Sequence, residues 1–221
     1  MEVSFTRNNA TKTGTLKYGK LYRGAELTRG QGDVDSLTKL GVTREVDLRV
    51  KSEGTNPKRL PKHDKCDSGD CVNITTDQDI IMTNYLIYPD SYATNFTALR
   101  DTMRYVMQSV VAGDNIYFHC TIGTDRTGTL AYFLEGLLGV SEEDRVEDYE
   151  LTYFSGLLNR HRFHDNLVSG ANINPRFLSM YKAYDTNDKI YAWYMYGLTD
   201  EQIASEKVLI EQFRDAMINY N

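Results

Sequence analysis

The chain has no apolar run long enough to cross a membrane, no surplus of positive charge and few cysteines. A membrane helix needs roughly 18–20 consecutive apolar residues. The apolar stretch at residues 130–140 is interrupted by Glu135 and reads as core. With 25 Lys and Arg against 31 Asp and Glu, the net charge is −6 and the pI is near 5.3. That balance excludes a nucleic-acid binder or a general binder of anionic membranes. It does not exclude an anionic ligand, which a local arc of amides and one arginine can hold. The opening residues Met-Glu-Val-Ser-Phe-Thr-Arg-Asn-Asn lack the pattern of a signal peptide. A chain whose signal has been removed looks the same, so a soluble protein of the cytoplasm and an exported one both remain open. Internal repeats, low-complexity tracts and linkers are missing too, so residues 1–221 read as one domain, with residues 1–18 as a polar lead-in.

The three cysteines are Cys66, Cys71 and Cys120. Cys66 and Cys71 flank Asp-Ser-Gly-Asp, where a turn can bring them within disulfide range or leave them as two surface thiols. A zinc site does not fit, because only His63 lies nearby. Hydrophobic content of 41% and charged content of 25% are those of an ordinary globular domain.

The apolar pattern alternates between strand-like and helical. Strands are expected at residues 21–22 and 42–48, with a short helix at 34–40 between them. Residues 51–70 carry Gly54, Pro57, Pro61 and Gly69 among many charges and read as a long loop. Residues 72–74 and 85–88 read as strands or extended connections. From Tyr92 on, Phe96, Leu99, Met103, Val106 and Val110 recur at gaps of four and three, the stripe of a helix laid on a sheet. Gly113 ends it, and residues 115–118 return as a buried strand. Ser141 followed by three acidic residues reads as a helix N-cap. Thr199-Asp200-Glu201-Gln202 matches a capping box, with Ile203, Ile210, Phe213, Met217 and Tyr220 as the apolar face behind it.

The chemistry concentrates in His119-Cys120-Thr121-Ile122-Gly123-Thr124-Asp125-Arg126-Thr127-Gly128. A strand precedes it and a core helix follows. The N–H groups of residues 121–126, wrapped into an arc, can surround three phosphate oxygens, with the positive end of the helix dipole adding to the field. Thr121, Ile122, Gly123 and Thr124 are therefore the expected anion-binding positions. Gly123 permits a positive φ and close backbone approach. Arg126 supplies a planar fork of donors that lysine cannot match. The same field favours the thiolate of Cys120, which makes it a nucleophile toward a bound phosphoryl group. Thr127 is placed to hydrogen-bond that thiolate. His119 reads as structural, shaping the loop.

The loop resembles the signature of cysteine-dependent protein tyrosine phosphatases, and its Asp-Arg-Thr-Gly ending is similar to the bacterial tyrosine and dual-specificity branch. Supporting likenesses are Leu21-Tyr22-Arg23-Gly24-Ala25-Glu26-Leu27, the strand running from Gly41 to Asp47-Leu48-Arg49 with Glu53 after it, and Gly139-Val140-Ser141 with Glu147-Asp148-Tyr149. A weaker one is Tyr196-Gly197-Leu198-Thr199. The resemblance implies an α/β fold, a mainly parallel central sheet flanked by helices, with a helical C-terminal part. It also implies a phosphomonoester hydrolase that works through a cysteinyl-phosphate intermediate, with no cofactor and no metal ligand. The expected partner is a phosphorylated protein or a small phosphomonoester. Phosphotyrosine comes first as substrate and an inositol phosphate or phosphoinositide second. A phosphate-binding pseudophosphatase and a rhodanese-like sulfur carrier are the readings from other classes. Lipid- and inositol-active relatives tend to carry Lys after the loop glycine; Thr124 stands there instead.

Such a reaction needs an acid for the leaving oxygen. Asp90, in Tyr88-Pro89-Asp90, lies at the family's spacing for a movable acid loop. Asp125 lies within the phosphate loop itself. Each has a plainer role, as helix cap or as helix-start carboxylate. The basic run Arg160-His161-Arg162-Phe163-His164 reads first as a solvated helix end and second as a cationic wall for phosphorylated substrate.

Overall fold

A computed structural model describes residues 1–27, 31–49, 62–63, 93–151 and 182–221. In chain order the strands are β1 (Glu2–Arg7), β2 (Ala10–Leu16), β3 (Leu21–Gly24), β4 (Arg44–Asp47), β5 (Lys62–His63), β6 (Ile116–His119) and β7 (Ile218–Tyr220). The helices are α1 (Gln31–Lys39), α2 (Ala93–Val111), α3 (Asp125–Leu138), α4 (Glu142–Glu150), α5 (Asn187–Met195) and α6 (Asp200–Met217).

The central sheet is parallel throughout, in the order β3-β6-β4-β5. Its middle strand β6 reads Ile-Tyr-Phe-His and is buried at all four positions. Cover on both faces explains why polar and apolar residues do not alternate there. Ile116, Phe118 and Val46 pack into the large core with Met103, Val106 and Phe133, on the side of α2 and α3. Tyr117 faces the other way, against Leu27, Val42 and Val34 of α1. Buried apolar surface of this kind contributes roughly 1.5–3 kcal/mol for each large side chain fully removed from water.

The helix stripe holds where its side chains are described: Leu99, Met103, Val106 and Val110 are all buried on α2. Ser141 caps α4 by accepting from the Asp144 N–H at 3.1 Å. Thr199 and Gln202 form the capping box of α6, with bonds of 3.3 and 2.9 Å.

Three expectations need correction. Residues 1–18, read as a polar lead-in, carry the hairpin β1–β2, whose turn is Asn8-Asn9, both at positive φ (52° and 61°). Two adjacent left-handed residues match the twist of a tight hairpin, and asparagine tolerates that conformation. The hairpin extends into a separate antiparallel sheet, β1-β2-β7. Tyr220 therefore belongs to β7 and not to the apolar face of α6: the helix stops at Met217, Ile218 is already extended, and Tyr220 is 40% exposed. Third, residues 62–63, inside the stretch read as loop, form the short edge strand β5 beside Arg44 and Glu45. Cys66, Cys71, the strands expected at 72–74 and 85–88, Tyr92 and the basic run at 160–164 lie outside the described residues, as does the side chain of Phe96.

Glu135, the residue that breaks the apolar stretch of α3, sits beside Asp148 in a cavity of about 180 Å³ that Arg23 and Phe118 also line. Burial, and then the charge of Asp148, push its carboxyl well above the ordinary range, against the pull of Arg23 and Arg145. A raised carboxyl favours folding at low pH and loses that contribution as pH rises toward its folded value. Glu135→Gln, which cannot ionise, is expected to gain stability over the wild-type chain as pH goes from 5 to 8. Thermal unfolding at both pH values checks this, and a wild-type–variant difference that does not change with pH would refute it.

Candidate active site

Cys120 follows directly on β6, at the C-terminal edge of the parallel sheet, where ligands of open α/β folds bind. It is the one free cysteine among the described residues and is 4% exposed. Residues 121–124 turn away from the strand, and Asp125 opens α3. The loop is thus bounded by a strand end and a helix N-terminus, and the Gly123 N–H donates to Cys120 Sγ at 3.3 Å. Gly123 has φ +81°, and a Cβ there would lie 2.4 Å from the Gly24 carbonyl oxygen. Both facts demand glycine, one through backbone strain and one through space.

Arg126 reaches back across the sheet edge. Its Nη1 donates to the Leu48 carbonyl at 3.1 Å, in the segment that continues β4. Thr127 is fully buried, and its Oγ1 has no hydrogen-bond partner among the described residues. The expected Thr127–thiol bond is therefore not formed; the Gly123 amide is the close donor instead. Thr124 is 1% exposed, caps α3 without a side-chain bond, and its Oγ1 is likewise unpartnered. Thr121 sits at the loop's start, where its carbonyl accepts from the Glu26 N–H at 3.3 Å. Ile122 is half-buried. The side chain of Asp125 and all of Asp90 lie outside the described residues.

Beneath the loop is a buried charged layer that the sequence reading did not assign. His119 Nε2 meets Glu45 Oε1 at 2.9 Å, its Nδ1 meets the Cys120 carbonyl at 3.1 Å, and its ring stacks on Tyr117 at 5.4 Å. Both ring nitrogens thus face acceptors. The Tyr117 hydroxyl donates to the Ala25 carbonyl at 2.5 Å. Asp47 takes Arg49 Nε on one oxygen at 2.9 Å and Nη2 on the other at 2.7 Å, and Arg49 also pairs with Glu26. Burial alone pushes the Asp47 carboxyl up. The Arg49 hydrogen bonds, with the charges of His119 and Arg49, win and bring it down to about 2. A signal was present in Arg-Glu-Val-Asp: two acids at i and i+2 share one strand face, and charges on a buried strand require partners.

Among the described residues, Glu45, Asp47 and His119 are the set close enough to share a metal ion, their ligand atoms lying within 4.8 Å of one another. The Arg49 guanidinium already supplies a cation to both oxygens of Asp47. No helix among the described residues is long and apolar enough to cross a membrane.

A second convergence explains the end of the motif. A Cβ on Gly128 would fall 2.6 Å from the Tyr149 ring, so the loop helix lies directly against α4. Next to it, Arg23 Nε pairs with Asp148 Oδ2 at 2.8 Å. The segments around Arg23, Gly128 and Asp148-Tyr149, separate in sequence, are packed as one unit. The sequence profile of the tyrosine phosphatase family matches residues 6–216, which takes in all of these segments and the loop.

The chain belongs to the tyrosine phosphatase family. It is 28% identical over 154 residues to a tyrosine-protein phosphatase of Nostoc commune, covering 66% of this chain. The chain spans about half (52%) of the length of that curated relative. A weaker likeness in shape, to the crystal structure of P. aeruginosa TpbA, has a TM-score of 0.41 at 18% identity over 80% of this chain and 96% of that one, and adds nothing to the assignment.

Proposed function

We propose that the chain hydrolyses phosphomonoesters through a cysteinyl-phosphate and acts as a protein tyrosine phosphatase, of the tyrosine-specific or dual-specificity kind. The observation that carries this is the loop itself: a buried thiol accepting from a loop amide, between a parallel strand end and a helix N-terminus, with Arg126 anchored at the far side.

In this reading Thr121, Ile122, Gly123 and Thr124 hold the equatorial oxygens with their amides, and Arg126 holds two of them with its fork. The Cys120 thiolate attacks phosphorus, the phosphorus–oxygen ester bond breaks, and the leaving oxygen takes a proton from Asp90 or Asp125. Water, deprotonated by the same carboxylate, then displaces the thiolate and releases phosphate. Fixed amide dipoles aimed at the trigonal-bipyramidal charge supply the main stabilisation. Thr124 turns its side chain inward and brings no cation to the substrate, which favours a phosphotyrosine ring over an inositol phosphate.

Turnover of para-nitrophenyl phosphate that survives EDTA and stops with vanadate is the expected result. A panel of phosphotyrosine peptide, phosphoserine peptide and inositol phosphates ranks the substrates. Asp90→Asn and Asp125→Asn, read against pH, assign the acid: the variant that loses the basic limb of kcat marks it. Tight phosphate binding without turnover would overturn the enzymatic reading and leave a binding module.

A further inference from the structure

The loop is gripped from two sides by backbone. After β3, the Glu26 N–H donates to the Thr121 carbonyl at 3.3 Å, and Gly24 and Ala25 lie against the Gly123 α-carbon. After β4, the Leu48 N–H donates to the His119 carbonyl at 2.7 Å, and the Leu48 carbonyl accepts from Arg126 at 3.1 Å. Each jaw therefore touches the loop at its start and again farther along. β3 and β4 flank β6 and do not pair with one another, so no backbone ladder joins the jaws directly.

Arg49 does join them. Its side chain is 2% exposed and grips both oxygens of Asp47, at the end of β4, and the Glu26 carboxylate, on the segment after β3. Its backbone N–H also donates to Asp47 Oδ1 at 3.0 Å. A guanidinium can satisfy two carboxylates at once through its fixed fork, which an ammonium cannot. Burying the Arg49 and Asp47 charges together is expensive, and a buried ion pair is weak grounds for stability. What the cluster supplies is geometry: a fixed distance between the two jaws, and so a fixed width for the loop.

We propose that Arg49 is a positioning residue, which holds the loop from Cys120 to Arg126 at its working width by tying the end of β4 to Glu26 beyond β3. The proposal rests on the phosphatase reading of that loop. Arg49 acts through Leu48 and Glu26, which touch the loop, and takes no part in bond making. A preorganised oxyanion site is sensitive to its width, since a displacement of about 1 Å can cost on the order of 10²-fold in rate.

The test uses the full chain with Glu26→Gln and Arg49→Lys. Glu26 is partly exposed, at 30%, so its variant is the one expected to fold normally. Five quantities are read for each variant: kcat and KM for para-nitrophenyl phosphate, inhibition by vanadate, inhibition by inorganic phosphate, and Tm. Vanadate mimics the five-coordinate transition state and phosphate the ground state, so they separate the two kinds of binding. For Glu26→Gln we expect an unchanged Tm, kcat reduced by about 10-fold with KM held within about 2-fold, and vanadate weakened in step with kcat while phosphate is not. Arg49→Lys should lose more, and the double variant no more than Arg49→Lys alone, since both act through one bridge. Unaltered kcat and vanadate inhibition in folded variants would overturn the proposal, as would vanadate and phosphate weakening equally, or a doubly additive loss. A wild-type chain that turns over no phosphomonoester overturns the phosphatase reading itself, which is a separate outcome.

Discussion

Cys120→Ser is expected to abolish turnover while leaving the fold and the anion site in place. The hydroxyl replaces a thiol of similar volume at a site only 4% exposed, and the Gly123 N–H that now donates to sulfur can donate to oxygen. Packing should change little. The chemistry should change greatly, because a serine hydroxyl is far harder to ionise than a thiol. Removing a nucleophile that acts as part of a unit costs on the order of 10⁴–10⁶-fold in kcat. Steady-state rates with para-nitrophenyl phosphate, set beside calorimetric titration with phosphate and a thermal melt, separate these consequences. A folded Cys120→Ser variant that kept kcat within tenfold of wild type would remove the covalent mechanism.

The second large effect belongs to Arg126. One of its donors is spent on the Leu48 carbonyl at 3.1 Å, which orients the guanidinium plane as well as anchoring it. Lysine can place a charge there, but it cannot hold the carbonyl and present a planar pair of donors to two phosphoryl oxygens. Arg126→Ala and Arg126→Lys should therefore both lose on the order of 10³-fold in kcat, the scale for losing a donor to developing charge. Lysine should keep more of the ground-state affinity, and so a KM nearer wild type. The decisive comparison is between the two variants. If Arg126→Lys recovers kcat to within about tenfold, a point charge is sufficient and the bidentate role is wrong.

How much of this is legible in the sequence alone depends on whether the cause is local. The loop motif, the α2 stripe and the caps at Ser141 and Thr199 depend on residues a few positions apart, and each stands where its pattern predicts. The buried charged layer does not. Glu45, Asp47 and Arg49 make sense only once β4 lies beside β6 and His119 is set across from Asp47. The resemblance marked the Asp-Leu-Arg segment without saying what it was for. The hairpin was missed for a different reason. β2 is exposed at most positions, so its apolar pattern is faint, and the Asn8-Asn9 turn was the stronger sign. The width of the loop likewise follows from Gly24 and Gly123 meeting face to face, a contact between segments that no spacing within either one reveals.

The small sheet has a consequence for the order in which the molecule is made. β2 forms early in synthesis, and its outer partner β7 comprises residues 218–220. The Lys17 N–H also waits for the Met217 carbonyl, which it meets at 2.7 Å. Until β7 has been made, that edge of β2 has no β7 beside it, and the pairing it awaits is strongly non-local. The sheet therefore closes only after β6 and its loop have emerged. A truncation that removes residues 218–221 would leave Gly14, Thr15 and Leu16 of β2 without their partners in β7 while sparing every residue of the loop.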